Sequence, residues 1–459
     1  MSSSPSTVLA DRPAIADASC KSRFCLIQML CRKAVFSLFD KLQVGRLIVR
    51  EGESEFLFGD HQADLKAEIR VLDREFYQCL IMGGSIGAGE AYMQELWTSR
   101  DLTTVIRLFV RNRAVLDGME KGLARAGRLL PRIMQALHRN TRVGSRKNIV
   151  AHYDLSDDFF RLFLDPTMMY SAAIFDRPEM SLEEASLTKM DRICQKLRLN
   201  PDDHLLEIGS GWGSMAIHAA RYYGCRVTTT TISDNQYETC LRRIQDAGLA
   251  HRITVLKKDY RDLDGTYSKL VSIEMIEAVG WQYYDTFFAT CSRLLRPDGL
   301  MLIQAITIDD RQFEKAKRSV DFIQRYIFPG SNIPSLAALS RSVSHASDFR
   351  LTHLEDLSPH YAITLRCWHH AFRHRLKTVR ELGFSETFIR MWEFYLCYCE
   401  GGFVERLIGS AQLLYAKPLN RSQPLLGNLA MLDQAPNAGP ASRNLNPTLV
   451  MPDRDTPHD

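Results

Sequence analysis

The sequence lacks several patterns that would assign it to a familiar class. Its eleven cysteines are odd in number and include no C-x-x-C pair, and neither the N-terminal cysteine group nor the Cys397-Tyr-Cys399 pair has zinc-site spacing. No apolar run is long enough to span a bilayer, and no basic segment followed by an apolar core opens the chain. We therefore expect a cytoplasmic protein with free thiols, no signal peptide and no metal.

The chain also lacks a large excess of charge. A net charge of +4 is too small to indicate nucleic acid as a partner. The distribution is uneven, however, because residues 105–147 hold eleven Lys or Arg against only Asp117 and Glu120. Apolar residues alternate with these arginines. The pattern fits either basic amphipathic helices on an anionic membrane or a helix pair that packs on the body with a solvated basic face.

A chain of 459 residues is long enough for two or three domains. Composition and patterning predict a disordered N-terminus, a small α+β lipid- or membrane-associated domain, a catalytic domain and a disordered tail, at residues 1–22, 23–140, 141–418 and 419–459.

In the small domain, two short apolar runs flank Gly52 and predict a hairpin, and a third strand follows, at residues 46–50, 55–59 and 64–73. Helices are predicted at residues 89–97 and 101–116, with Asp101 as the N-cap of the second.

The following region alternates strand and helix patterns. Five strands are predicted at residues 205–208, 226–232, 253–256, 270–273 and 300–306. Helices fit between them at residues 215–223, 235–247 and 284–295. This order predicts an α/β fold with a doubly wound, Rossmann-like parallel sheet.

The first strand of this sheet runs into a glycine-rich turn, His204-Leu-Leu-Glu-Ile-Gly-Ser-Gly-Trp-Gly-Ser214. Its spacing is G-x-G-x-G rather than the G-x-G-x-x-G of a dinucleotide site, and no Lys-Ser or Lys-Thr follows as in a P-loop. Glycines at a strand-to-helix turn let a ligand approach the backbone. With Glu207 two places before Gly209, the turn is similar to the S-adenosylmethionine site of class I methyltransferases.

Further motifs occur in a fixed order around this turn. They are the segments 151–160, Asp165-Pro166, Tyr170-Ser171, 231–236, 274–280, 326–330, Pro334-Ser335, Tyr361 and 397–402. From about residue 30 to residue 417 the chain resembles the cyclopropane-fatty-acyl-phospholipid synthase family, which includes mycolic acid methyltransferases. Its N-terminal part makes it more similar to the two-domain phospholipid synthases than to the shorter mycolate enzymes.

The resemblance implies that the double bond of an unsaturated phospholipid acyl chain attacks the methyl group of S-adenosylmethionine. The resulting carbocation then loses a proton from the transferred carbon and closes a cyclopropane ring. Family members hold a bicarbonate ion as the proposed proton acceptor. Water must be excluded and negative charge or π-electrons supplied, because a buried cation is otherwise quenched or unstable.

The same resemblance assigns catalytic residues. Glu277 matches the family's bicarbonate-binding glutamate, and Tyr361 matches a tyrosine that donates to the ion. Cys399 matches a cysteine sometimes assigned a catalytic role, although a buried structural thiol explains it equally well.

Two positions depart from the family pattern. Ala172 stands where many members have a cysteine; if that cysteine binds the ion through its backbone N–H, alanine still supplies the donor. Gln304 stands where a histidine is common, and glutamine cannot carry a proton at physiological pH. This departure does not suit a histidine general base and leaves an ion-mediated route or Glu277.

The resemblance also implies how S-adenosylmethionine is held. The residues concerned are Glu207 with Gly209, Gly211 and Gly213 at the methionine part, Thr231 and Gln236 at the ribose, Tyr260 beside the adenine, and Tyr170 and Ser171 at a further contact. Turn and capping roles are the alternative for the smaller of these side chains.

Two alternative functions stay open. One is a lipid C-methyltransferase that adds a methyl group without closing a ring, and the other is a catalytically weakened lipid-binding homologue. The expected partners are unsaturated phospholipid acyl chains and the anionic inner face of the membrane, and family likeness makes a homodimer an expectation.

Overall fold

The computed structural model describes residues 16–119 and 155–425. Most of the basic stretch 105–147, the first residues of the 151–160 motif, the boundary at 140 and most of the tail after 419 lie outside the described residues. The described chain up to Ser422 forms one compact unit. Among these residues, no helix combines the length and the apolar character needed to cross a bilayer.

The chain begins with a long helix and a small mixed sheet. Helix α1 spans Ala16–Phe39, so the predicted disorder up to residue 22 is too long. No proline or glycine interrupts residues 14–44, which lets the helix start early. The strands are β1 (Arg46–Glu51), β2 (Ser54–Gly59), β3 (Lys66–Val71) and β4 (Trp97–Thr98), in the order β2-β1-β3-β4. The predicted hairpin and third strand are confirmed, with β3 parallel to β1.

Three helices complete this part: α2 (Glu75–Met93), α3 (Leu102–Arg111) and α4 (Arg113–Met119). Asp101 caps α3 as predicted, because its carboxylate accepts from the Thr104 N–H at 2.9 Å. Helix α3 buries Leu102, Val105 and Leu108.

The second sheet has seven strands in the order β10-β11-β9-β8-β5-β6-β7. Its strands are β5 (His204–Ile208), β6 (Arg226–Thr231), β7 (Ile253–Lys257), β8 (Tyr267–Ile273), β9 (Leu295–Ile308), β10 (Arg350–Asp356) and β11 (Ile408–Ala416). Strands β5 to β9 pair in parallel, which confirms the doubly wound α/β fold.

The helices around this sheet are α5 (Asp157–Phe160), α6 (Leu182–Leu197), α7 (Ser214–Tyr223), α8 (Asp234–Asp246), α9 (Ile276–Val279), α10 (Tyr284–Leu294), α11 (Asp310–Ala316), α12 (Phe322–Tyr326), α13 (Leu336–Ala346), α14 (Ser358–His374), α15 (Leu376–Glu381) and α16 (Glu386–Val404).

Two strands of this sheet, β10 and β11, were not predicted from the sequence. Strand β11 lies antiparallel between β9 and β10, so the sheet is not purely parallel. Strand β10 is an edge strand rich in charged residues, and β11 carries polar side chains within a buried segment, so neither shows a clean strand pattern.

One aromatic-rich core joins the two sheets. It includes Phe39 and Trp97 from the N-terminal part together with Phe159 and Trp392 from the second part. Arg107 and Arg111 of α3 both bind Glu405, just after α16, at 2.7 and 2.6 Å. These two arginines of the basic stretch are therefore tied to the body of the protein.

Candidate active site

The glycine turn follows β5 directly. The N–H groups of Gly209 and Ser210 both donate to the Thr230 carbonyl, which fixes the turn against β6. Gly211 has φ +47°, and no atom of the described residues lies within 4 Å of the place where its Cβ would stand. Gly213 has φ +87°, and its Cβ would lie 2.8 Å from Cys240 Sγ. Gly211 thus keeps the ligand side of the turn open, whereas Gly213 permits close packing of α8.

Glu207 is buried beneath this turn, and the Thr229 hydroxyl donates to it at 2.6 Å. Burial raises the pKa of Glu207 to about 8. Lys189 of α6 is fully buried nearby and donates to Ser171 Oγ at 2.6 Å. Burial lowers the pKa of Lys189 to about 8, while the carboxylates around it, Glu274 first, oppose that shift.

The carboxyl ends of β6 and β7 carry the residues that are predicted to contact the nucleoside part of the cofactor. Thr231 and Gln236 are buried and bonded to each other, with the Thr231 hydroxyl 2.9 Å from Gln236 Oε1. Tyr260 follows β7 in a short 3-10 helix and packs its ring 5.5 Å from the ring of Phe287. Tyr170 shares a 2.9 Å hydroxyl–hydroxyl hydrogen bond with Tyr395 of α16.

Glu277 lies in α9, just beyond the carboxyl end of β8. Its Oε1 accepts from the Ile306 N–H at 2.5 Å, and its Oε2 is buried without a hydrogen-bond partner among the described residues. Burial, followed by the nearby charge of Glu274, raises the pKa of Glu277 to about 8. This shift favours the protonated form of Glu277 at neutral pH.

Glu274 directly follows β8 and accepts three hydrogen bonds. Its Oε1 accepts from the Ala172 N–H and from Gln304 Nε2 at 3.0 and 2.9 Å. Its Oε2 accepts from the Tyr361 hydroxyl at 2.7 Å. Glu274 was predicted only as part of the 274–280 motif and without a role; an acidic residue at the carboxyl end of a central strand was the available signal.

The side chains of Glu207, Glu274, Glu277 and Tyr361 line one cavity of about 580 Å³. All the predicted site residues line it except Gly213 and Gln304. Those on the wall are Tyr170, Ser171, Glu207, Gly209, Gly211, Thr231, Gln236, Tyr260, Glu277, Tyr361 and Cys399. The roles assigned to these residues stay predictions.

The cavity continues into the N-terminal part of the chain. Its apolar walls there come from α2, α3 and α4 and include Leu80, Ile106, Val110 and Leu116. Phe328 and Pro329 of the 326–330 motif also line it. A polar end at the glycine turn is thus joined to a long apolar end.

Cys399 is on the wall of the cavity as a neutral thiol. Burial raises its pKa far above the ordinary value, with Asp321 and Cys397 adding to the effect. A neutral thiol is a poor nucleophile. The structure therefore favours a packing role over the catalytic role that the resemblance suggested.

The sequence analysis also missed Lys189. It occupies the same face of α6 as Ala185 and Ile193, at four-residue spacing, and all three are buried. A lysine within an apolar helical stripe was the signal, because a buried lysine needs a polar partner.

Comparison with known proteins gives consistent matches. Residues 140–413 match the family described as mycolic acid cyclopropane synthetase. The chain is 38% identical over 327 residues to the tuberculostearic acid methyltransferase UfaA1 of Mycobacterium tuberculosis, covering 70% of this chain and 76% of that protein. It is 34% identical over 354 residues to the cyclopropane-fatty-acyl-phospholipid synthase of Escherichia coli K12, covering 76% and 88%.

A solved structure shows the same similarity. The mycolic acid cyclopropane synthase CmaA1, complexed with SAH and CTAB, is 34% identical, with a TM-score of 0.55 over 59% of this chain and 98% of that one.

Proposed function

The chain belongs to the mycolic acid cyclopropane synthetase family of S-adenosylmethionine-dependent methyltransferases, and from that premise we propose that it transfers a one-carbon unit from S-adenosylmethionine to the double bond of an unsaturated phospholipid acyl chain, closing a cyclopropane ring. One observation carries the proposal. A single cavity joins the glycine turn to apolar walls from α2, α3 and α4.

The residues present suit the methyl donor. The turn at Gly209 and Gly211 admits close approach, and Thr231 and Gln236 offer a hydroxyl and an amide where a ribose requires partners. S-adenosylmethionine would supply an electrophilic methyl group on a sulfonium. The likeness to a structure that holds SAH, its demethylated form, supports this assignment.

The apolar end of the cavity suits an acyl chain. Side chains such as Leu80, Val110 and Leu116 would exclude water from the reacting double bond. Charged residues join the lining at Arg113 and at the Asp117–Lys315 ion pair, whose atoms are 2.8 Å apart. Such a charged group matches the head group of a phospholipid.

Aromatic and anionic groups surround the polar end. Tyr361 and Tyr395 line the cavity, and the Tyr361 ring lies 4.4 Å from the ring of Phe403, which holds it in place. The electron-rich faces of such rings stabilise a nearby carbocation. Retention of these groups on the wall counts against a purely lipid-binding homologue.

A second candidate is a lipid C-methyltransferase that adds a methyl or methylene branch without closing the ring. It is favoured by the likeness to the tuberculostearic acid methyltransferase UfaA1, at 38% identity. Both reactions pass through the same cation, and the proton that leaves decides the product.

We also propose peripheral attachment to an anionic membrane on the cytoplasmic side, and a homodimer. The attachment is supported by the eleven basic residues within 105–147, although Arg107 and Arg111 are engaged with Glu405.

The test uses purified protein, S-adenosylmethionine labelled in the methyl group, and vesicles of monounsaturated phospholipid. Vesicles of the fully saturated phospholipid are the matched control. We expect label only in the unsaturated acyl chain, which becomes one CH₂ unit heavier. A proton NMR spectrum with upfield cyclopropane signals supports ring closure, whereas vinylidene or methyl-branch signals support the second candidate. Label in the head group, or equal labelling of saturated lipid, would refute both.

A further inference from the structure

The carboxylate of Glu274 stands where the resemblance places a bicarbonate ion. The expected donors to that ion are the backbone N–H at Ala172 and the Tyr361 hydroxyl, with position 304 beside them. In the structure all three groups donate to Glu274 instead, at 3.0, 2.7 and 2.9 Å. A bicarbonate ion does not fit this arrangement, because its donors are engaged and a second anion would face the carboxylate.

The orientation of Gln304 is fixed by a chain of hydrogen bonds. Lys196 Nζ donates to Gln412 Oε1 at 2.6 Å, so the amide nitrogen of Gln412 must donate onward. It does so to Gln304 Oε1 at 3.0 Å. The amide nitrogen of Gln304 therefore faces Glu274. A lysine can only donate, and that settles the direction of both amides.

The backbone conformation of Glu274 also indicates that its side chain has a role. Its φ is +49°, in the left-handed region, and its N–H donates to the Gln304 carbonyl at 2.7 Å. This conformation costs a non-glycine residue about 1–2 kcal/mol. Glycine would adopt this conformation without that cost. The side chain of Glu274 therefore has to make a contribution that offsets the backbone strain.

The surroundings of Glu274 and Glu277 also indicate which of the two carboxyl groups ionises more readily. Burial raises the pKa of Glu274 above its ordinary value, while the three donors and the charge of the buried Lys189 oppose that shift and favour the ionised form. Neighbouring Glu277 has one oxygen without a hydrogen-bond partner among the described residues, and burial raises its pKa to about 8. When two neighbouring carboxyl groups have such different surroundings, one of them ionises more readily than the other. The three hydrogen bonds donated to Glu274 favour Glu274 as the ionised member.

We propose that the Glu274 carboxylate is the catalytic proton acceptor of this enzyme and takes the place of bicarbonate. The proposal rests on the proposed function. The alkene forms a bond to the donated methyl carbon as the carbon–sulfur bond breaks, leaving a cation on the chain. Glu274 then takes a proton from the transferred carbon, and the electrons of that C–H bond close the ring. The resulting carboxylic acid returns its proton to water.

The decisive variant is Glu274→Gly. It removes the carboxylate and the backbone strain, and it leaves the three hydrogen-bond donors available to an ion. Glu95→Gly is the matched control, because Glu95 is exposed, has φ +60° and does not line the cavity. In buffer freed of carbon dioxide we expect Glu274→Gly to lose roughly a hundredfold or more in turnover, as for loss of a general base. Added bicarbonate should restore much of it.

Wild type and Glu95→Gly should be equally active with and without bicarbonate. Glu274→Gln should be inactive in both buffers, because its amide fills the cradle without accepting a proton. A wild-type enzyme that depends on bicarbonate, or a Glu274→Gln variant with wild-type turnover, would overturn the proposal.

A second measurement does not depend on turnover. We expect ¹³C-labelled bicarbonate to show NMR line broadening with the Glu274→Gly protein and none beyond the Glu95→Gly level with wild type. Bicarbonate binding by wild type, or its absence in Glu274→Gly, would refute the assignment of the cradle. If wild type transfers no carbon to any lipid, the proposed function fails, and this binding contrast still decides whether Glu274 fills the place of the ion.

Discussion

The hydroxyl of Tyr361 lies 2.7 Å from the carboxylate of Glu274, and the two residues come from different elements, α14 and the end of β8. Eighty-seven positions separate them in the chain. Both residues line the cavity, and their hydrogen bond links α14 to the end of the central strand β8.

Loss of this hydroxyl should slow turnover. A hydrogen bond to a charged group contributes about 1.5–3 kcal/mol, so we expect Tyr361→Phe to lower kcat roughly tenfold to a hundredfold with SAH affinity unchanged. Tyr223→Phe is the control, because it removes a similar bond, to Asp191 at 2.6 Å, away from the cavity. Equal kcat losses in the two variants would show that the effect of Tyr361 is only structural.

The two glycines of the turn should respond differently to alanine. Gly213→Ala forces a Cβ against Cys240 Sγ and should lower the free energy of unfolding by about 2–3 kcal/mol. The Cβ of Gly211→Ala meets no atom in the part of the chain that the structure describes, so the change should cost about 1 kcal/mol, yet weaken SAH binding more strongly. Thermal denaturation and SAH titration check both. Undiminished SAH affinity in Gly211→Ala would contradict the assigned site.

The buried carboxyl of Glu277 should make stability depend on pH. Its pKa is raised to about 8 in the folded protein, so its contribution is full below the ordinary carboxyl pKa and is lost as pH rises through 8. We expect wild type to lose roughly 2–5 kcal/mol relative to Glu277→Gln between acidic and alkaline pH. Denaturant unfolding across this range measures the difference, and parallel curves for the two proteins would contradict the prediction.

The apolar end of the cavity should set acyl length. Val110 of α3 lines it, and Val110→Trp should shift preference towards shorter acyl chains by filling part of the volume. Val44→Trp, at a position 41% exposed, is the control for the added bulk. Competition between phospholipids of different acyl length measures the shift. An unchanged preference would place the acyl chain elsewhere.

Much of the fold was predictable because its signals are local. Alternation of apolar runs with helical patterns identified β5 to β9, and Asp101 was recognisable as a cap from its own neighbourhood. Strands β10 and β11 were missed because their pairing is decided by partners far along the chain. The resemblance led to residues that meet on one cavity, since motif order carries information that single residues do not.

The site was harder to predict from the sequence where function depends on contacts between residues far apart in the chain. The role of Glu274 becomes apparent only from the hydrogen bonds that Ala172, Gln304 and Tyr361 donate to it. The role of Lys189 likewise becomes apparent only from its burial and its hydrogen bond to Ser171. No local pattern reports such convergence.

The most direct test of the central claim is the fate of a fully deuterated methyl group on S-adenosylmethionine during reaction with monounsaturated phospholipid. Mass spectrometry of the released fatty acid should show the labelled carbon in the acyl chain with one deuteron lost and two retained. Label absent from the acyl chain would contradict the claim that this cavity brings a fatty double bond to the methyl donor.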